Sequence, residues 1–312
     1  MVSALRRALL LLPLTLWSPG FTEAKELPRS ELSVWRDNKW EEWWRSTDAP
    51  TTYDERSAVL APLVVWRSVA HGVDTGELQL SGSGEAWRLR LVLARIDPAR
   101  VRFEAAPRHL SVARMWTIDS MSADALLAMN AGQFRARRPW GWLVIDGNEL
   151  QRPELPPLAM AVVVDSAGRV SLVTRDEITV LRETHAPVRL AFQSYPTALV
   201  DGVVPPRLRD VGHGVNVGHR DGRLGLCTLR DGRVIVALTR FDALAGRIPE
   251  LPFGTTQPEM VAVMGALGCV RAVMLDGGIS RHFGVREHGE LTFRHKGWRV
   301  VPMGLEVKPR PN

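Results

Sequence analysis

Near the C-terminus, Asp276 is followed by Gly277, Gly278, Ser280, Arg281 and His282, at the end of the apolar run Val270 to Leu275. A carboxylate beside two residues without a Cβ lets a ligand approach the backbone closely and meet the acid at short range. Such a group serves as nucleophile, general base or electrostatic partner of a developing cation. Far upstream, Asn130 precedes Ala131 and Gly132 after an apolar lead-in, so a backbone turn would present its amide, which donates and accepts at once. Arg223 offers a third chemistry, because a planar guanidinium makes paired, charge-assisted bonds to a phosphodiester and keeps its proton. Each has a plainer reading: a strand-end turn for Asp276, an Asn-Ala-Gly turn for Asn130, a surface cation for Arg223. Asp201 and Asp242 are the candidate partner carboxylates, while Glu259 belongs to a helix cap. His213, Asn216 and His219 lie in a glycine-rich loop that either borders the site or is solvated.

These residues need elements to hold them. Thr256 and Glu259 form a capping box, Pro258 suits an early helical position, and Met260, Val261, Met264 and Leu267 repeat at helical spacing. A helix over Thr256 to Leu267 therefore ends at Gly268 and feeds a strand over Val270 to Leu275 covered on both faces. Val59 to Val69, Ala86 to Leu93 and Val101 to Ala106 read as strands, and Ser120 to Ala128 as a helix. Gly141 to Ile145 and Ala161 to Val164 run into the turns Asp146-Gly147 and Ala167-Gly168; Asp231-Gly232 precedes a strand over Arg233 to Thr239. Gln193 to Val200 reads as a strand leading to Asp201-Gly202 on the substrate side. Between Lys25 and Ser57, Trp40, Trp43 and Trp44 share a face if the segment is helical, with Trp35 off it; that helix either packs its indoles on the main domain or offers them to a carbohydrate. Ser46 to Thr52 reads as its linker. The expected class is α+β, with mixed or antiparallel sheets, a few flanking helices and a single main domain over 58–312.

The chain has 312 residues, with 40 Lys and Arg against 34 Asp and Glu. The cations are scattered and no nucleic-acid motif accompanies them, so an anionic small ligand or polymer is the expected partner and a nucleic acid is not. Arg6 and Arg7 precede the apolar run Ala8 to Trp17, then Pro19, Gly20 and Ala24, as in a signal peptide spanning 1–24. The run is shorter than the roughly 20 residues a membrane span needs. A secreted or periplasmic product without a stable span is expected, an uncleaved anchor being the alternative. Cys227 and Cys269 stand either as a disulfide or as two buried thiols. No zinc pattern occurs, and no cofactor is called for beyond a possible divalent cation.

Helix, Leu267-Gly268-Cys269, apolar strand, then Leu275-Asp276-Gly277-Gly278 and Ser280 resembles the C-terminal signature of the phosphodiester glycosidase family. Ala128 to Phe134 is similar to that family's upstream Asn-Ala-Gly block, and Arg223 to Ala237 can be laid on its arginine block. Ile279, Arg281 and Cys227 replace the usual glycine, serine and glycine. The resemblance implies a hydrolase that cleaves the glycosidic bond of a sugar 1-phosphodiester, exported if the N-terminal signal-peptide pattern is used. Asp276 and Asn130 would be catalytic, with Arg223, Gly277, Gly278, Ser280, Arg281 and Gly132 around the substrate. The alternatives are a glycan-binding protein that has lost turnover, or a phosphodiesterase that cuts the phosphate ester.

Overall fold

The computed structural model describes residues 29–82, 88–107, 114–209, 216–242 and 246–310. The signal-peptide segment, Gly84 and His213 lie outside them. In chain order the strands are β1 (Glu31–Arg36), β2 (Lys39–Arg45), β3 (Arg67–Ala70), β4 (Val73–Gly82), β5 (Arg88–Ile96), β6 (Val101–Ala106), β7 (Leu127–Asn130), β8 (Phe134–Arg135) and β9 (Arg138–Pro139). There follow β10 (Leu143–Ile145), β11 (Asn148–Gln151), β12 (Met160–Asp165), β13 (Val170–Thr174), helix α1 (Arg175–Glu183), β14 (Val188–Ser194) and β15 (Thr197–Leu199). The last third holds β16 (Leu224–Leu229), β17 (Val234–Phe241), helix α2 (Gln257–Ala266), β18 (Cys269–Met274), β19 (Phe283–Glu287), β20 (Glu290–His295) and β21 (Gly304–Pro309).

A nine-stranded sheet runs β15-β18-β16-β17-β5-β4-β1-β2, with β3 beside β4. Two five-stranded sheets, β11-β10-β14-β12-β13 and β20-β19-β7-β21-β6, accompany it, and β8 pairs β9. The paired strands are antiparallel throughout the described residues. With two α-helices among so many strands, the fold is mostly β, which corrects the α+β expectation.

The correction has local causes. The tryptophan segment is the hairpin β1–β2, because Asp37 and Asn38 both take positive φ, at 48° and 61°, as a two-residue turn requires. Trp35 and Trp40 then face each other across the strands with ring centroids 5.2 Å apart, while Trp44 is buried. The hairpin joins the large sheet where β1 pairs β4. Ser120 to Ala128 is likewise no helix: a short 3-10 turn covers Ile118–Ser120. Leu127, Ala128 and Met129 are strand, paired to β19 on one side and β21 on the other. Val59 to Val69 holds a 3-10 turn at Ala61–Leu63 and is strand only from Arg67. Helix α1, capped by Thr174 and Glu177, had no counterpart in the sequence reading.

The large sheet is buried on both faces. Along β17, Val234, Val236 and Leu238 face the core shared with the two smaller sheets, whereas Ile235 and Ala237 face α2. Helix α2 is capped by the Thr256–Glu259 box, as the sequence indicates, and Gly268 follows at φ 85°. Its apolar residues surround it because it lies between the sheet and the segment around Tyr53 and Leu60. Gly265 leaves room for the Tyr53 ring, and Leu60 N donates to Ala266 O. Cys227 and Cys269 form a disulfide that ties β16 to β18.

Candidate active site

The C-terminal ends of β7, β14 and β18, one from the large sheet and one from each five-stranded sheet, meet around Asp276. Leu275 N donates to Leu224 O, Asp276 N to Ala131 O and Gly278 N to Gly222 O, so the turn after β18 is held from both neighbouring strands. Asn130 locks the same turn from behind. Its Nδ2 donates to Asp276 O at 2.8 Å, and its Oδ1 accepts from His282 N at 2.7 Å. Being fully buried with both amide ends engaged, Asn130 positions the backbone that carries Asp276; the structure does not bring it to the substrate side. Gly132 permits that convergence, since a Cβ there would run into the Gln193 carbonyl of β14.

Gly278 takes φ 57°, and a Cβ on it would lie 2.7 Å from Asp221 Oδ2. A Cβ on Gly277 would meet Gly222 O at 2.7 Å. The two glycines thus let the turn pack onto the strand entering at Arg223. Ser280 is buried, with its hydroxyl beside the Asp276 carboxylate. Burial pushes Asp276 up to about 6, against the opposing pull of the Ser280 hydroxyl and the Arg299 charge; the nearby Asp221 carboxylate adds to the rise.

Asp276 opens into a cavity of about 710 Å³ lined also by Arg135, Arg207 and Arg299, by Glu154, and by Phe134, Trp140, Tyr195 and the run 155–158. Arg299 lies over the Phe134 ring at 4.7 Å. Its backbone is held by His282, whose Nε2 donates to Arg299 O at 2.9 Å and whose Nδ1 accepts from Gly297 N at 3.2 Å. That pattern requires the neutral ring, and burial lowers the His282 pKa accordingly. Gln133 fixes the neighbouring wall by accepting from Ser194 Oγ and Tyr195 N and donating to Tyr195 O.

The two arginines expected at the substrate are engaged elsewhere. Arg281 is fully buried, and its guanidinium donates to the carbonyls of Gly278, Thr239 and Leu251. It occupies the space left by the missing side chain of Gly222. Arg223 donates to Thr255 O and His219 O. Burial without a carboxylate in direct contact lowers both pKa values. They form the wall behind the turn, and neither lines the cavity.

The expected partner carboxylates are also distant from it. Asp201 pairs with Arg271 at the start of β18, the opposite end from Asp276. Asp242 pairs with Arg90 at 3.4 Å. Glu154 instead shares the cavity with Asp276 and accepts from Trp140 Nε1 at 2.6 Å. Glu154 and Arg299 lie in segments where the sequence shows no functional signal, whereas Gln133 and Phe134 fall in the Ala128 to Phe134 block and Tyr195 in the segment Gln193 to Val200. Trp35 and Trp40 sit on the edge hairpin, five and six strands from β18, so the cavity's indole is Trp140. Among the described residues, no three His, Cys, Asp or Glu side chains converge as a metal-ligand set. No described helix is long and apolar enough to cross a membrane.

The family model described as phosphodiester glycosidase matches residues 123–308, which include both Asn130 and Asp276. The fold resembles that of the zebrafish N-acetylglucosamine-1-phosphodiester alpha-N-acetylglucosaminidase catalytic domain, auto-inhibited by its pro-peptide, with a TM-score of 0.59 at 12% identity over 84% of this chain and 95% of that one. It also resembles a hypothetical protein from Synechocystis, with a TM-score of 0.53 at 14% identity over 90% of this chain and 68% of that one. No curated protein sequence matches the chain.

Proposed function

The chain belongs to the phosphodiester glycosidase family, and from that membership we propose that it hydrolyses the glycosidic bond of a sugar 1-phosphodiester in the Asp276 cavity. The observation that carries the proposal is a desolvated carboxylate opening into the same cavity as three arginines, Arg135, Arg207 and Arg299. A phosphodiester brings one negative charge, which guanidinium groups match, and a carboxylate beside the anomeric carbon matches the positive character that grows there.

In the proposed reaction the bond between the anomeric carbon and the phosphate oxygen breaks, and the phosphate monoester leaves with the bonding pair. A water oxygen bonds to the anomeric carbon, and its proton passes to a carboxylate and then to solvent. Phosphate leaves as a stabilised anion, so arginine contact matters more than a strong acid at the leaving oxygen. Ionised Asp276 acts as nucleophile or base, and Glu154 is the second carboxylate within the cavity. Asn130, Ser280 and His282 hold Asp276 and Arg299 in place, a task distinct from touching the sugar. Arg281 departs from the family's serine, but its side chain fills the wall and leaves the cavity open, which favours retained turnover over a binding-only protein. Export belongs to the same proposal and rests on Arg6, Arg7 and the apolar run Ala8 to Trp17.

Hydrolysis in ¹⁸O-labelled water tests this reading. Free sugar carrying the label, together with an unlabelled phosphate monoester, is expected. Sugar 1-phosphate plus free alcohol would instead assign a phosphodiesterase, and tight binding without products a glycan-binding protein.

A further inference from the structure

One side of the cavity is mostly apolar. The run Leu155, Pro156, Pro157 and Leu158 carries no polar side chain, and the two prolines have no amide to donate. Three of its four carbonyls are already engaged: Leu155 O accepts from Arg175, Pro156 O from Ala159 N, and Leu158 O from both the amide and the hydroxyl of Thr197. Beside this run, the Trp140 and Tyr195 rings lie 5.5 Å apart. The indole N–H is held by Glu154, and the Tyr195 amide and carbonyl by Gln133. Leu155 and Tyr195 nonetheless remain 43% and 41% exposed. A hydroxyl-rich ring needs several donors and acceptors, of which this wall offers little beyond the Tyr195 hydroxyl, whereas an alkyl chain needs only its area. The same cavity is lined by Asp276 and the three arginines, and it is larger than a monosaccharide phosphate alone requires.

We propose that the alcohol esterified to the substrate's phosphate is apolar, its chain lying on Trp140, Tyr195 and the 155–158 run while the phosphate meets the arginines. This rests on the sugar-phosphodiester reading and names the aglycone class.

Calorimetric titration of the whole protein with methyl phosphate and octyl phosphate, the latter below its micelle threshold, tests the wall without requiring turnover. Octyl phosphate should bind at least about tenfold more tightly, since each buried methylene multiplies affinity by roughly four. In the Leu155→Ser/Tyr195→Ser double variant, at two exposed positions, that ratio should fall at least about threefold. Affinities equal within about twofold, or a ratio the double variant leaves unchanged, would overturn the proposal. The methyl and octyl esters of one sugar 1-phosphate are assayed in parallel. Release of sugar from neither would defeat the parent reading, and the phosphate pair would still decide the wall.

Discussion

Strand β18 has an Asp-Gly turn near each end, and the two carboxylates behave oppositely. Asp201, in the turn that docks on the start of the strand through Gly202 N and Val270 O, is mostly solvated. It makes two bonds to Arg271, which hold its carboxyl below the usual range. Asp276, beyond the strand's other end, has no guanidinium in direct contact among the described residues and rises to about 6 because burial disfavours its charge. The residue type and its following glycine are shared, so what separates a structural ion pair from a reactive carboxylate is solvation and the nearest cation. The arginines divide in the same way. Arg281 and Arg223 spend their donors on backbone carbonyls, whereas Arg299, Arg135 and Arg207 line the cavity.

The sharpest way to break this contrast is to neutralise each acid in turn. Asp276→Asn should lower kcat/KM on a sugar 1-phosphodiester by about 10³-fold, within the range for loss of a positioned acid or base. Asp201→Asn should leave it within about twofold, because its partner Arg271 faces Glu177 and not the cavity. Reduction of the Cys227–Cys269 disulfide, which closes a 42-residue separation at the Asp201 end of β18, should cost about 4 kcal/mol in urea unfolding. Turnover well below the melting temperature should persist, and its loss would show that the two ends are not independent.

Stability against pH separates the two acids by sign. A carboxylate raised from its ordinary value of 3.8 to about 6 stabilises the fold while protonated, below about pH 4, and that contribution is lost as pH rises through 6. Asp276→Asn should therefore stabilise the protein at pH 8 by about 2 to 3 kcal/mol and leave it nearly unchanged at pH 4. Asp201→Asn should cost less than about 1 kcal/mol at pH 8, as expected for an exposed pair. Between these two in size, Gly278→Ala should cost about 1 to 2 kcal/mol, from its positive φ and the Asp221 carboxylate in its path. Urea titrations at the two pH values read all three.

The parts legible in the sequence were those that local chemistry decides. The Thr256–Glu259 box and Gly268 delimit α2, and Asp146-Gly147 turns β10 into β11. Asp276 with its glycines and Asn130 do converge, although Asn130 acts on the backbone of the turn. Non-local pairing was not legible. β7 is a strand because β19 and β21 flank it, and the tryptophan segment is a hairpin because Asp37 and Asn38 turn it, where helical spacing alone suggested otherwise. Nor does sequence say which way a guanidinium points: Arg281 turns inward because Thr239, Leu251 and the absent side chain of Gly222 receive it. Glu154 and Arg299 meet Asp276 only through tertiary closure.

The pH dependence of kcat/KM on a sugar 1-phosphodiester tests the role of Asp276 most directly. Activity should fall as pH drops through about 6, where the carboxylate takes up its proton and loses the charge the reaction uses. A profile flat from pH 4 to 8, or an acidic limb that persists unchanged in Asp276→Asn, would contradict it.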